Sequence, residues 1–381
     1  MSGGVHVVLF LNGPVQNGDF TFRNAPGKAV GIRLASALNS VLGRPEVPHL
    51  WNTATLSGDI RYRTQDRPHA PPRAAFEHAR LTDKYGPGMP QPTSVITDAD
   101  PGVAELALTI VDEHLANGVL RIGAANVQEC AGCGHTVGLG ARRCTSCTNE
   151  CLRVRSTRHL IKDNGAGQAT SASELLHMRN RRRQHHLDEI SRHVPHRLLL
   201  SRPRSHGVHL DALGLRGHVL DPRTGLHVTA LFATQRQGAE LAAMTVTPNA
   251  LVHIAAYASG FVDHHGHRLR YALHGRVPYD AVPALQRVYD FHRADDSDRR
   301  VFESWFLPLL ALRNKNRTHP GQLPALVKYF LKVRRAEPRI DQDETAERLR
   351  EKITMGDPDW VMDKHLLAAA LNRHERLMSR V

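Results

Sequence analysis

The sequence predicts a mixed α/β fold carrying a metal-bearing insertion and a helical C-terminal tail, and three features predict it. An apolar run from Val5 to Leu11 has the length and composition of a buried strand. A glycine-containing turn follows it, and then Ala29, Ile32, Leu34, Ala35, Leu38 and Leu42 recur at helical spacing, ending near Gly43. Five cysteines fall within the 22 residues from Cys130 to Cys151 and none lies elsewhere. Residues 341–378 are charged and helically patterned, with Leu366, Leu367, Ala370, Leu371 and Leu377 in a stripe that suits docking on the body better than an oligomer contact.

A chain of 381 residues, 41% hydrophobic and 23% charged, is long enough for two or three domains and a sizeable core. No run approaches the ~18–20 apolar residues of a membrane span, and a basic-then-apolar leader is not apparent. A cytoplasmic location and no membrane partner are therefore expected. The net charge is +13, carried by 42 Arg and only 8 Lys. Such an excess either attracts nucleic acid and phosphate-rich ligands or forms a solvated surface. The 25 His add sensitivity to mild acid.

After the first helix, Val47–Thr53 reads as a second short strand, residues 57–73 as a long surface loop rich in Arg and Pro, and Ala74–Lys84 as a short helix. Thr93–Thr97 is strand-like. Asp100-Pro101 opens a helix whose buried face is Val103, Leu106, Ala107, Ile110, Val111 and Leu115, closed by Asn117-Gly118. Ser171-x-x-Glu174 reads as a capping box for a helix running to about His193. Its Arg179, Arg181, Arg182, Arg183, His185 and His186 form either a solvated face or a phosphate-attracting one. From Leu198 to about residue 260 the pattern suggests short strands and turns. Asp263-His264-His265-Gly266-His267 is read as a polar turn rather than a metal cluster, because no carboxylate stands in register beside it. A helix at 280–292 leads to the apolar segment Val301–Leu312.

Cys130-Ala-Gly-Cys133 and Cys144-Thr-Ser-Cys147 place two thiolates on each of two tight turns, which together complete a tetrahedron around Zn²⁺. Gly132, Gly134 and Gly138 supply the freedom such a knuckle needs. Four thiolates leave no open position, so the zinc is structural. Cys151 is a spare, and His135 a substitute ligand. An iron–sulfur cluster or a redox dithiol are the alternatives.

The strand–turn–helix at the start brings backbone N–H groups and a helix N-terminus toward an anion, unless it is an ordinary βα turn. It is neither a Walker loop nor a Gly-x-Gly-x-x-Gly fingerprint. Asn17-Gly18-Asp19-Phe20-Thr21-Phe22-Arg23-Asn24, followed by Pro26-Gly27 and the helix, resembles the Asn-Gly-x-Leu-His-Ile-Gly-His signature of class I aminoacyl-tRNA synthetases, the methionyl branch most closely. Thr97–Pro101, its helix and the knuckle resemble the entrance to that family's zinc-bearing connective insertion. Leu200–Gly207 resembles the return to the catalytic domain. Asp296-Ser297-Asp298 and Phe302–Pro308 resemble two further motifs.

The resemblance implies a class I synthetase-like Rossmann catalytic domain. Its halves would be residues 1–118 and 196–340, with a zinc-knuckle insertion at 119–195 and a helical tail at 341–381. It implies ATP with Mg²⁺ over Asn12, Gly13, Asn17, Gly18, Gly27 and Lys28, and Asp298 at the ribose. Thr21, Arg23, Asn24, Lys332, Arg334 and Arg335 would assist transfer at the phosphates. The departures are specific. Thr21 and Asn24 replace the two signature histidines. Arg23 replaces a glycine that lets adenine lie against the backbone. Asn52-Thr53-Ala54 replaces Gly-Thr-Asp, Glu303 replaces a histidine, and Lys332–Arg339 is basic but is not Lys-Met-Ser-Lys-Ser. These changes point away from tRNA charging. They point toward activation or ligation of an amino acid-like small molecule in specialised metabolism, or toward an inactive fold that binds a partner protein, tRNA or small molecule.

Overall fold

The computed structural model describes residues 8–13, 21–44, 47–64, 71–85, 94–137, 140–163, 175–176, 181–313, 317–336 and 342–378. Strand β1 (Val8–Asn12) is buried along its whole length and leads, through the turn, to helix α1 (Val30–Val41). Strand β2 (His49–Trp51) and helices α2 (Leu56–Arg63) and α3 (Arg73–Tyr85) follow, then β3 (Val95–Thr97) and α4 (Pro101–Ala116). The long strand β4 (Leu120–Cys130) runs out to the cysteines, where β5 (Thr136–Val137) folds back on it, and β6 (Leu152–Asp163) returns. Next come β7 (Leu175–Leu176), α5 (Arg181–Arg192), β8 (Arg197–Leu199), β9 (Ser201–Pro203) and β10 (His218–Leu220). Helix α6 (Pro222–Arg236), β11 (Leu241–Val246), α7 (Leu251–Tyr257), β12 (Asp263–His264) and β13 (His267–Leu273) complete the sheets. The rest is helical: α8 (Gln286–Phe291), α9 (Asp296–Val301), α10 (Leu307–Arg313), α11 (Leu323–Arg334), α12 (Gln342–Met355) and α13 (Lys364–Met378).

The main sheet orders β1-β11-β13 in parallel, with the short β12 antiparallel on β13 and β7 parallel to it. Strands β2 and β3 form a parallel pair beside β1. Among the described residues no backbone ladder joins the two units; the Asn12 amide does so. Its Oδ1 accepts from Leu50 N–H at 2.8 Å and its Nδ2 donates to Leu50 C=O at 3.0 Å. The resulting order β3-β2-β1-β11-β13 is that of a doubly wound α/β sheet, and the chain reverses its direction of travel between β1 and β11. A ligand crevice belongs outside the carboxyl ends of the strands at that reversal.

Two apolar cores flank the sheet. One gathers α1 with Phe302, Trp305, Phe306 and α11, and it also takes Trp360, Val361, Leu366, Leu367, Ala370 and Leu371 from the C-terminal segment. The tail therefore docks on the body; the side chain of Leu377 lies outside the description. The other core packs α4, α6 and α7 under Leu9, Leu11, Met244 and Tyr271. Among the described residues, no helix is long and apolar enough to cross a membrane.

Three expectations need correction. Residues 56–63 are helical rather than loop, because Thr55 caps them by accepting from Gly58 N–H and every proline of the stretch comes later. Residues 198–260 contain two helices, α6 and α7. Helix α6 begins with Asp221-Pro222, whose carboxylate accepts from Arg223 N–H, and its residues 224–231 are all buried. A helix covered on every side has no amphipathic period to read. Finally, Leu175–Leu176 is a strand beside Tyr271–Ala272, so the helix begins at Arg181. Ser171, Glu174, Arg179 and the side chains of Arg181, Arg182 and Arg183 lie outside the described residues.

Candidate functional site

The carboxyl ends of β1 and β11 meet at Gly13. Its N–H donates to Thr245 C=O at 2.9 Å, and a Cβ there would stand 2.5 Å from that oxygen, so only glycine allows the approach. Asn12 spends its amide on Leu50 and on Gly13 C=O. Asn17 and Gly18 lie outside the described residues.

The turn at Thr21–Ala25 is built locally. Thr21 Oγ1 accepts from Asn24 N–H at 3.1 Å, and Thr21 C=O accepts from Ala25 N–H at 2.9 Å. Phe22 anchors it from below. Its ring lies 5.1 Å from that of Tyr85, edge to face, and its N–H donates to Lys84 C=O at 2.7 Å. Arg23 and Asn24 stand at the exposed apex, and Gly27 and Lys28 are exposed in the 3₁₀ turn Pro26–Ala29. Neither that turn nor α1 has a side-chain cap or an acidic residue in its first turn. A helix start of this kind favours anions.

Lys84 strengthens that character. Nothing in its sequence neighbourhood marks Lys84, which ends the helix predicted over Ala74–Lys84, yet its side chain is buried. Burial first, and then the charges of Arg80, Arg61 and Lys28, push its ammonium down to about 8. Beside it, the Tyr85 hydroxyl meets His49 Nδ1 at 2.5 Å, and burial pushes His49 down to about 4, so this imidazole is neutral at pH 7. Thr53 and Ala54, at the end of β2, donate to buried Asp98, with Thr53 N–H at 2.6 Å and Ala54 N–H at 3.0 Å. Burial raises the Asp98 carboxyl, while these bonds hold it down in part.

Asp298, Arg334 and Arg335 form a separate group with different neighbours. Asp298 sits in the capping box of α9, accepts from Arg334 Nε at 2.6 Å, and lies 3.6 Å from Arg335. Arg335 also donates to the carbonyls of His292 and Arg293. Lys332 is exposed on the last turn of α11.

The cysteines meet as their spacing requires. Cys130 Sγ lies 3.4 Å from Cys147 Sγ and Cys133 Sγ lies 3.6 Å from Cys144 Sγ, and all four sulfurs fall within 4.8 Å of one another. A tetrahedron with Zn–S bonds of ~2.3 Å has edges of about 3.8 Å, so the donor set fits one zinc ion. Backbone N–H of Cys133 draws the Cys130 thiol down to about 7, whereas burial pushes Cys133 up to about 12. A divalent cation held by the four thiols would resolve that conflict by ionising the set together. Cys151 is exposed and outside the cluster, and its C=O accepts from Ala131 N–H. Gly134 adopts φ +68, the left-handed turn conformation that favours glycine; Gly138 lies outside the described residues. The knuckle is tied to the body by Arg63 of α2, which donates to Cys133 C=O at 2.7 Å.

No protein-family model and no curated protein matches the chain. Solved structures do. The chain is similar to Mycobacterium tuberculosis methionyl-tRNA synthetase bound by methionyl-adenylate, with 10% identity and a TM-score of 0.52 over 98% of this chain and 84% of that one. A second structure of that enzyme with methionyl-adenylate gives 12% identity and a TM-score of 0.51 over the same shares. At such identity the likeness speaks for architecture. The chain has a class I synthetase-like α/β fold with a four-cysteine centre suited to zinc.

Proposed function

We propose that the chain is a repurposed synthetase-like ligase that activates or joins an amino acid-like substrate with ATP and Mg²⁺, without charging tRNA. The observation that carries this reading is the reversal of chain direction between β1 and β11, where their carboxyl ends meet at Gly13. It is flanked by an uncapped helix start and by Lys28, Arg61 and Lys84, within a fold shared with an adenylate-bound synthetase. In this reading residues 1–118 and 196–340 make the nucleotide-binding body, 119–195 the zinc insertion and 341–381 the docked tail. Gly27 and Lys28 face the phosphates together with Thr21, Arg23 and Asn24. Asn12, Gly13, Asn17 and Gly18 shape the nucleotide seat. Asp298, held by Arg334 and Arg335, orders the ribose side beside Lys332. The four cysteines hold structural zinc, and the protein works in the cytoplasm.

A second reading is a binding module. It is favoured by the commitment of Asp298 to two arginines and of Gly13 N–H to Thr245. Exposed Arg142 and Arg143 at the knuckle and Arg153, Arg155 and Arg158 along β6 would suit an acidic partner protein or tRNA. Two measurements decide. Millimolar ATP–Mg²⁺ should raise the melting temperature, and an amino acid should drive pyrophosphate exchange into ATP. Absence of both overturns the ligase; a salt-dependent tRNA shift in their place supports the module.

A further inference from the structure

The hairpin β12–β13 turns through His265 and Gly266, whose φ angles of 48° and 82° are the paired left-handed conformations of a tight two-residue turn. The turn sets two imidazoles side by side, with ring centroids 4.1 Å apart and planes at 84°. Helix α4 supplies what the local sequence lacks, a carboxylate. Glu113 Oε1 lies 3.5 Å from His264 Nε2 and 3.7 Å from His265 Nε2. All three ligand atoms fall within 4.8 Å of one another.

These separations are too long for hydrogen bonds and match the edge, about 3.4 Å, of a tetrahedron with bonds of ~2.0–2.1 Å to nitrogen and oxygen. His264 is the telling residue. Its side chain is 8% exposed, and its Nε2 is buried with no hydrogen-bond partner among the described residues. A buried imidazole nitrogen aimed at a carboxylate without bonding it is a cost that a cation removes. The other ring nitrogen, Nδ1, lies 3.4 Å from the side-chain amide of Gln235 on α6. With the Gln235 amide turned so that its oxygen faces the ring, Nδ1–H donates to it and Nε2 carries the lone pair that ligates. The neighbouring histidines are engaged elsewhere: His114 Nε2 meets Gly260 C=O at 2.7 Å and His267 Nδ1 meets Ala239 C=O at 2.7 Å.

We propose that Glu113, His264 and His265 form a second divalent-cation site for an ion of the zinc or cobalt class. Two imidazoles and one carboxylate suit such ions, and exposed His265 leaves the remaining coordination to water. The site stands at the amino end of β13, the end of the sheet opposite the crevice. Its cation pins α4 and the hairpin together.

The test uses the full, tag-free chain with its cysteine centre loaded with zinc. Micromolar Co²⁺ should then add one equivalent with ligand-field absorption and no thiolate charge-transfer band, and should raise the melting temperature. His265→Ala and Glu113→Gln should each weaken that binding at least tenfold while leaving the cysteine-bound metal in place. His265 is exposed but left-handed at φ 48°, so His265→Asn, which makes the Asn-Gly pair such a turn favours, serves as the control that removes the imidazole without straining the hairpin. The proposal is overturned if Co²⁺ binds only at millimolar levels, if it binds equally to the variants, or if no second equivalent is taken up.

Discussion

The parallel sheet and the cysteine-tipped ribbon solve the same problem, holding strands in place, by opposite means. In the sheet, β1, β11 and β13 are buried between two apolar cores, and buried polar groups act as staples within them. At the ribbon tip the apolar cluster consists of little more than Cys130, Cys133 and Cys144, with Ile60, Val137 and Leu152 packed against them. Five of the first seven residues of β6 are exposed there. Little area is buried in so small a cluster, and a metal held by the four cysteines would supply there the order that the sheet draws from area.

That contrast can be broken in several places. The largest effect belongs to Cys144→Ser, or to stripping by a strong chelator. A structural zinc site contributes on the order of 10 kcal/mol to local folding. One metal equivalent should be lost and amide protection around residues 126–151 should collapse, while protection in β11 persists. Unchanged protection at the tip would show that burial suffices there.

The body should respond to its own staples. Asp221 is buried, accepting from Arg202 Nε at 2.6 Å and from Arg223 Nη2 at 2.7 Å. Burial would raise its carboxyl, but the two guanidiniums outweigh it and hold it well below the ordinary carboxylate range. Asp221→Ala leaves those cations unpaired and should cost about 3–5 kcal/mol in urea unfolding, with tip metal content unchanged. Asn12→Ala strands a buried N–H and C=O at Leu50 and should cost about 2–3 kcal/mol.

Lys84 gives a pH signature. Its folded value, about 8, lies below the ordinary 10.5, so between those values the unfolded chain holds the extra proton. Stability contributed at this position therefore rises with pH across that window, and Lys84→Met should flatten the rise in pH-dependent melting. The smallest effect is expected from Arg63→Ala, which removes one bond between body and knuckle. About 1 kcal/mol of stability and a faster loss of metal to chelator are the readouts.

What the sequence made legible follows the same division. The knuckle was readable because its ligands lie within 18 residues, and α4 because one face is apolar and both ends carry stop signals. Helix α6 was not, since burial on all sides erases periodicity. The burial of Lys84 leaves no mark in the sequence, because the turn at Phe22 that meets it lies some sixty residues earlier. The histidines at 264 and 265 were set aside for want of a carboxylate. Glu113, about 150 residues earlier, becomes their neighbour only when α4 packs beside the hairpin. Residues brought together by tertiary structure leave no spacing to read.

The seam along β1 has one more consequence. Phe10 has both its N–H and its C=O bonded by the Asn39 amide, at 2.8 and 2.7 Å, as Leu50 has by Asn12. Two side chains thus impersonate peptide groups along an edge where a ladder would otherwise run. A ladder tolerates nearly any sequence, because every residue brings the same backbone. A seam made of borrowed amides does not: aspartate keeps the acceptor and loses the donor, and glutamine carries one methylene too many. Here the join between β1 and β2, normally the most sequence-blind interaction in a protein, is written in one residue, Asn12, while Asn39 satisfies the rest of the edge from α1.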